Sequence, residues 1–225
     1  MRHSLLKSAA AMIVAGAIGI AGWSYATGWH PSTARYPLQG VDLGENPRPV
    51  EWSIVRARGA DFAYLVATVG ARHRDLAFEA NWAALPEAGL RRGAVHLYSL
   101  CAPAKDQADT FNAFVPRTDD ALPPAIDIAF RDDCTDRPDR AVMIAELSRF
   151  VKMVETHVRK PVLLRIAKPV ERAYRISAAI DRPVWATGNL LSPDYAERPW
   201  RIWRASDIRR IDGIDGSVNW DVVAQ

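Results

Sequence analysis

Short apolar runs alternate with segments of helical periodicity along most of the chain. Six runs have the length and continuity of buried β-strands: residues 40–43, 62–68, 93–99, 125–128, 162–166 and 184–186. Five segments between them have the composition of helices: residues 50–58, 76–88, 105–114, 141–158 and 170–180. The fourth is the clearest, because its apolar residues recur at steps of three and four from Ala141 to Val158. Strands that alternate with helices predict βαβ units and a parallel sheet.

The apolar strands are continuous rather than alternating, which indicates a sheet that is covered on both faces. Either an open doubly wound sheet or a closed barrel satisfies this requirement. Residues 200–223 favour strands with little helix, so a barrel would be irregular at its end. A chain of 225 residues is of a size that a single α/β domain fills.

The first 26 residues differ from the rest of the chain. Arg2 and Lys7 precede an uncharged run, residues 8–26, that is long enough to span a bilayer. Small residues at Ser24 and Ala26 also suit a signal peptidase, so a cleaved signal peptide is the alternative to a retained signal anchor. Either prediction places the remainder outside the cytoplasm, anchored to the inner membrane or released into the periplasm. Residues 27–35 are interpreted as a linker and residues 36–225 as the domain.

The charge balance argues against nucleic acid as a partner. The formal net charge of +3 includes Arg2 and Lys7, and the remaining residues carry 27 basic and 26 acidic side chains. A nearly neutral domain offers no basic surface for a polyanion. Two cysteines, Cys101 and Cys134, lack nearby partners for a metal site, and in an exported domain they either pair or remain separate thiols. No metal and no cofactor are predicted.

Polar residues fall where the predicted strands end, which is where parallel β/α folds place their sites. One of them, Asp127, lies in the segment LPPAIDIAF, residues 122–130. Because side chains alternate along a strand, Asp127 and Ala129 share a face. Glycoside hydrolysis requires two carboxyl groups around the scissile bond, and this strand carries one.

The ordered segments resemble the glycoside hydrolase family 25 lysozymes, which are muramidases that cleave the glycan strand of peptidoglycan. The resemblance covers about residues 36–223 and rests on six segments: YPLQGVDL (36–43), VEWSIVRARGADFAYLVAT (50–68), FEANWAALPEAGLRRGAVHLYSLC (78–101), QADTFNAFVP (107–116), LPPAIDIAF (122–130) and DGIDGSVNWDVV (212–223). It implies an irregular, single-domain TIM-like β/α barrel, here preceded by the predicted membrane segment. The glycan groove would lie at the carboxyl ends of the strands.

The resemblance assigns roles to individual residues. Asp42 matches the aspartate that ends the family's first strand, and Asp127 matches the first acid of its Asp-x-Glu pair, so these two would be the remnant of the catalytic site. The candidate substrate-binding residues are His96, Tyr98, Trp185, Trp203 and Asn219. Core packing is the alternative for the histidine and the tryptophans, and a structural role is the alternative for Asp127. Cys101 and Cys134 would lie on one rim beside Asp127, which favours a disulfide.

The departures from the family pattern concern the chemistry. Ala129 stands where the family has its general acid, and Val66 and Val69 replace a lysine and a glutamate of the second strand. Arg204 replaces a glutamine, and Asn219 replaces an aspartate. Joint loss of a buried acid and a buried lysine avoids an uncompensated charge. General acid assistance is worth roughly 10²- to 10⁴-fold, so we expect hydrolysis to be severely impaired or absent.

Three hypotheses about function follow. In the first, the protein is a membrane-anchored periplasmic pseudoenzyme that binds peptidoglycan glycan or an envelope protein. In the second, it is an active muramidase with a displaced acid, for which the loop candidates are Glu45, Asp132, Asp133 and Asp215. In the third, it is a scaffold subunit of an envelope complex.

Overall fold

The residues that the computed structural model describes form nine strands and seven helices. The model describes residues 2–46, 48–132 and 134–225, without the side chains of residues 2–11. The strands are β1 (Gln39–Leu43), β2 (Phe62–Val69), β3 (His73–Arg74), β4 (Arg91–Tyr98), β5 (Ala125–Ile128), β6 (Leu163–Ile166), β7 (Val184–Thr187), β8 (Trp200–Arg209) and β9 (Val218–Val223). The helices are α1 (Arg2–Gly28), α2 (Trp52–Ala57), α3 (Phe78–Glu87), α4 (Ala104–Phe114), α5 (Arg140–Val158), α6 (Lys168–Tyr174) and α7 (Ile176–Ala179).

Eight of the strands close into a barrel. The order is β1-β9-β8-β7-β6-β5-β4-β2, and pairing of β1 with β2 completes the ring. All neighbours are parallel except β9, which runs antiparallel to both β8 and β1. Of the two architectures that the pattern allowed, the structure is therefore the closed barrel, and its irregularity lies in the last two strands as predicted.

The barrel interior is apolar over much of its length. Inward-facing aromatic residues include Phe62 and Tyr64 on β2 and Trp185 on β7. Gly40 and Gly93 face these rings: a Cβ atom on Gly40 would lie 2.4 Å from the Phe62 backbone oxygen, and one on Gly93 would lie 2.2 Å from the Tyr64 ring. Glycine on β1 and β4 thus makes room for the rings of β2.

The predicted elements match the observed ones with two differences. The predicted helix over residues 170–180 is divided into α6 and α7 at Arg175, whose φ of 47° interrupts the helix. The two-residue strand β3, which pairs with the end of β2, was not predicted because both of its residues are exposed and carry no apolar pattern.

The predicted membrane segment forms part of α1. Within the described residues, no helix is both long and apolar enough to cross a membrane. The side chains of Arg2 and Lys7, and those of residues 8–11 of the predicted span, lie outside the described ones. The end of α1 contacts the barrel, where the Arg210 backbone N–H donates a hydrogen bond of 2.8 Å to the Thr27 carbonyl.

Candidate active-site cleft

A cleft of about 310 Å³ lies at the carboxyl ends of β5 to β8. Its lining residues are Asp127, Ala129, Ala167, Thr187, Gly188, Asn189, Arg204 and Asp207. Asp127 and Ala129 face the same space, as the alternation along the strand predicts. A small apolar side chain therefore occupies the position beside Asp127 that the family pattern gives to a proton donor.

Asp42, buried at the end of β1, is held by two arginines and an amide. Arg204 donates from Nε to Oδ2 at 2.9 Å and from Nη2 to Oδ1 at 2.6 Å, while Arg165 donates from Nη1 to Oδ1 at 2.8 Å. The Asn219 amide adds a fourth bond of 3.1 Å. Burial alone would raise the pKa of Asp42, but the attraction of Arg204 and Arg165 outweighs it and lowers the pKa to about 2. Asp42 is therefore an anion at neutral pH.

Arg165 joins Asp42 to Asp127. Its Nε atom lies 3.0 Å from Asp127 Oδ1, but the N–H is not directed at a partner, so we interpret this contact as an ion pair rather than a hydrogen bond. Arg131 contacts the other oxygen, Oδ2. Burial acts to raise the pKa of Asp127, and the charge of Arg165 overcomes it, so the pKa lies below its usual value. Like Asp42, Asp127 has no proton to donate at neutral pH.

A third carboxyl group, Asp221 on β9, behaves in the opposite way. Its side chain is fully buried, and Trp185 donates an indole hydrogen bond of 3.0 Å to its Oδ1. Burial and the neighbouring charge of Asp42 raise the pKa of Asp221 well above its usual value. Its Oδ2 has no hydrogen-bond partner among the described residues. The raised pKa favours the protonated form of Asp221, but the side chain is buried and does not line the cleft, so it is out of reach of a ligand bound there.

Two of the predicted substrate-binding residues lie on the wrong side of the barrel wall for that role. His96 is fully buried, contacts Thr68 Oγ1 at 2.8 Å and Gln107 Oε1 at 3.1 Å, and stacks on Phe150. Burial lowers the pKa of His96 to about 4, so the ring is neutral. Tyr98 packs edge-on against the same phenylalanine. Because β4 turns both side chains toward α4 and α5, neither is positioned to contact a ligand in the cleft.

The two predicted tryptophans are also packed in the protein. Trp185 is completely buried in the barrel interior, with the Arg165 guanidinium 4.8 Å from its ring centroid. Trp203 is 4% exposed and donates to the Gly188 carbonyl at 2.6 Å. Packing, which was the alternative for both, is the arrangement that the structure has. Asn219 differs from them, because it takes part in the Asp42 network.

Of the four loop acids considered as substitutes, the three described ones do not line the cleft. Glu45 pairs with His73 and Asp215 pairs with Arg48. Asp132 is exposed and is not among the lining residues. Asp133 lies outside the described residues.

Sequence reasoning missed several residues that shape the site. Arg165 carried a usable signal, because it is a charge at an inward position of the short apolar strand VLLRI. Arg204 was recognised as a departure from the family pattern but not as a ligand of Asp42. Asn189 and Asp207, which are joined by a hydrogen bond of 2.6 Å in the cleft wall, had no periodic signal.

The predicted disulfide is confirmed. Cys101 and Cys134 are bonded, with their Cα atoms 5.7 Å apart. The bond connects the segments that follow β4 and β5. It therefore ties down the rim next to Asp127 and Arg131.

The geometry defines a β/α-barrel protein with a charged cleft at the carboxyl ends of its strands, which is where enzymes of this architecture have their active sites. Residues 41–214 match the sequence model of the glycosyl hydrolases family 25. The match spans more than half of the chain, and the protein belongs to this family.

Individual relatives agree with this assignment. The uncharacterized protein YegX of Escherichia coli O157:H7 is 30% identical over 197 residues, covering 84% of this chain and 70% of YegX. Lysozyme M1 of Streptomyces globisporus is 39% identical over 59 residues, which are 26% of this chain and 20% of that protein. A family 25 glycosyl hydrolase from Bacillus anthracis superimposes with a TM-score of 0.79 at 28% identity, covering 87% of this chain and 93% of the other.

Proposed function

We propose that this protein binds the glycan strand of peptidoglycan in the cleft without hydrolysing it at an appreciable rate. The observation that carries the proposal is the protonation pattern at the cleft. Both carboxylates that the family pattern identifies, Asp42 and Asp127, have lowered pKa values, and the position of the proton donor is Ala129. A general acid must be protonated at the working pH and must reach the leaving oxygen.

The arginines argue against hydrolysis in a second way. The transition state of glycoside cleavage carries positive charge on the sugar ring, and a negative site stabilises it. Arg204 and Arg165 together donate three hydrogen bonds to Asp42, and Arg165 and Arg131 both pair with Asp127. Most of the negative charge is therefore neutralised within the protein.

The cleft keeps what is needed to bind a sugar. Thr187, Asn189 and Asp207 supply hydroxyl, amide and carboxylate groups along one wall. Asp127 and Arg204 face them and add an acceptor and a set of N–H donors. Convergent polar groups of both kinds are suited to the hydroxyl and acetamido groups of a glycan.

The site of action in this proposal is outside the cytoplasm. The disulfide between Cys101 and Cys134 is typical of an oxidising compartment, and peptidoglycan lies there as well. We propose that the N-terminal segment delivers the domain to the periplasm, as a retained anchor or as a cleaved signal.

Co-sedimentation of the full chain with purified peptidoglycan tests binding. The wild type is expected to sediment with the sacculi, and Asp127→Asn is expected to weaken binding because it removes a charged acceptor from the cleft. Glu79→Gln removes an exposed acid on α3 and serves as the matched control. Equal retention of all three proteins would contradict binding through the cleft, and no retention would favour an envelope protein as the partner or a scaffold role.

One observation favours a second candidate function. Asp207 lines the same cleft as Asp127 and is exposed to solvent. A muramidase with a displaced acid would use it as the proton donor. That hypothesis predicts slow release of glycan fragments that is abolished by Asp207→Asn, whereas the binding proposal predicts no release from either protein.

A further inference from the structure

A second cleft lies on the outer side of the barrel, away from the glycan cleft. Its volume is about 470 Å³, and its lining residues are Arg58, Arg209, Arg210, Ile211, Asp212, Ile214 and Gly216. The Arg210 backbone binds the Thr27 carbonyl, so the cleft adjoins the point where α1 meets the end of β8. None of these residues lines the first cleft.

Arg209 is the unusual residue of this cleft. It is only 7% exposed, and its guanidinium lies 3.7 Å from the centroid of the Trp220 ring. Its Nε and Nη1 atoms are buried, and no described residue accepts a hydrogen bond from either. The aromatic ring compensates part of the cost of burying the charge, but buried N–H donors without acceptors remain costly. Such donors indicate an acceptor that the protein itself does not supply.

The charges around Arg209 indicate that the missing acceptor is an anion. Arg58 pairs with Asp212, while Arg210 is exposed and makes no ion pair with a described residue. Arg209 and Arg210 are therefore two cations in the lining of the cleft that pair with no described carboxylate. Burial lowers the pKa of Arg209 to about 10, which still leaves it charged at neutral pH. A compact oxyanion with several acceptor atoms can accept from one edge of the Arg209 guanidinium and offset the charge of Arg210.

We propose that the Arg209–Arg210 cleft is a binding site for a phosphate-class oxyanion. A free phosphate ion and the phosphate of an anionic lipid headgroup share this chemistry. The inference does not depend on the proposed glycan function, because it rests on a different cleft and different residues. The backbone contact between Arg210 and Thr27 places the site next to the end of α1.

Thermal unfolding of the full chain in rising concentrations of inorganic phosphate tests the site. Chloride at matched ionic strength corrects for charge screening, whereas the general stabilisation that phosphate gives to proteins does not saturate and is shared by all variants. The wild type is expected to show a saturable rise in the midpoint, because an anion that binds only the native state stabilises it. Arg209→Met is expected to weaken apparent phosphate affinity by roughly tenfold or more. Arg172→Met, which removes an exposed arginine from α6, is expected to leave it unchanged.

A second variant protects the test against a folding defect. Arg210 is exposed, so Arg210→Gln is expected to fold normally and to weaken phosphate binding by about threefold or more. Absence of a saturable rise in the wild type, or an equal rise in Arg209→Met and Arg210→Gln, would overturn the proposal and would mean that water satisfies Arg209.

Vesicles distinguish the two sources of the anion. The full chain is incubated with phosphatidylglycerol vesicles and with phosphatidylcholine vesicles, so that attachment through α1 alone contributes to both. A preference for phosphatidylglycerol that Arg209→Met removes and Arg172→Met keeps would assign the site to a lipid headgroup. Phosphate binding without such a preference would assign it to a free anion.

Discussion

Arg165 and Arg209 are both almost completely buried, yet their surroundings are opposite. Arg165 lies inside the barrel, where it pairs with Asp42 and Asp127 and stacks over Trp185. Arg209 lies outside the barrel wall over Trp220 and has no carboxylate partner among the described residues. The interior arginine pairs with two carboxylates, although its Nε–H lacks an aligned acceptor, whereas the outer one has two buried donors without acceptors and no carboxylate partner.

The difference follows from the position of each residue in the barrel. Inward positions near the carboxyl ends of the strands converge in the barrel interior, so Asp42 on β1, Arg165 on β6 and Arg204 on β8 meet although no two of these strands are neighbours. Arg209, near the end of β8, lies over Trp220, and the acid that lines its cleft, Asp212, pairs with Arg58 instead. At the Asp42 network, ion pairs within the protein neutralise most of the charge. At Arg209 there is no such pairing, which leaves the site open to a ligand.

The largest expected effect comes from removing the central arginine. Arg165→Met leaves Asp42 and Asp127 with fewer compensating charges in a buried site, which should lower the free energy of unfolding by about 3–5 kcal/mol. Urea denaturation at neutral pH measures it, with Arg172→Met as the exposed control. A loss below about 1 kcal/mol would show that the network does not depend on Arg165.

The disulfide between Cys101 and Cys134, on the rim beside Asp127, is expected to contribute nearly as much to the free energy of unfolding. It closes a loop with a sequence separation of 33 residues, and the chain-entropy relation gives about 3–4 kcal/mol for a loop of this length. The double variant Cys101→Ser/Cys134→Ser should lose this stability in denaturant titrations. If reduction of the wild type left its unfolding midpoint unchanged, the rim beside Asp127 would be held by its ion pairs alone.

The Asp42 carboxylate should make the stability of the folded protein depend on pH, with a loss of stability in acid. The folded pKa of Asp42, about 2, lies below its ordinary value of 3.8, so its stabilisation is complete above the ordinary value and is lost as the pH falls toward 2. The shift corresponds to about 2 kcal/mol. Denaturant titrations of the wild type and Asp42→Asn should therefore differ most near neutrality and converge in acid. A constant difference would contradict the lowered pKa.

Asp221→Asn tests the opposite sign within the same network. Because the folded pKa of Asp221 is raised, its contribution is complete below its ordinary pKa and is lost as the pH rises through the raised value. The variant should therefore gain stability relative to the wild type as the pH rises. If the difference in stability between the variant and the wild type did not change with pH, the pKa of Asp221 would not be raised.

The smallest effect is expected at the outer arginine. Arg209→Met removes a cation–π contact but also removes buried donors without acceptors, so in a phosphate-free buffer the free energy of unfolding should change by no more than about 1 kcal/mol. Denaturation alongside Arg165→Met gives the contrast directly. Equal losses in the two variants would mean that Arg209 has acceptors as good as those of Arg165.

Much of the fold could be predicted from the sequence, because periodicity reports burial directly. The runs that became β1, β5 and β7 were located to within one residue at each end. The strand β3 was not predicted, because two exposed residues show no periodic arrangement of apolar positions. Asp42 and Asp127 were singled out because they fall where predicted strands end, and the resemblance to a family then gave them their roles.

The partners of these carboxylates could not be predicted in the same way. Arg165 and Asp42 are separated by 123 positions, and one sequence does not specify which inward residues meet. His96 and Tyr98 were misplaced for a related reason, since being near the end of a strand does not determine which face a side chain takes. Period-two alternation from Val95, an interior residue, would have assigned both to the outer face.

The most direct test of the central claim is product analysis after incubation of the full chain with purified peptidoglycan. Release of new reducing sugar ends is measured for the wild type, Asp127→Asn and Ala129→Glu. We predict that the wild type binds the glycan and releases no fragments above background. We also predict that Ala129→Glu does not restore cleavage, because the arginines still neutralise the site. Release of reducing ends by the wild type that is lost in Asp127→Asn would contradict the account.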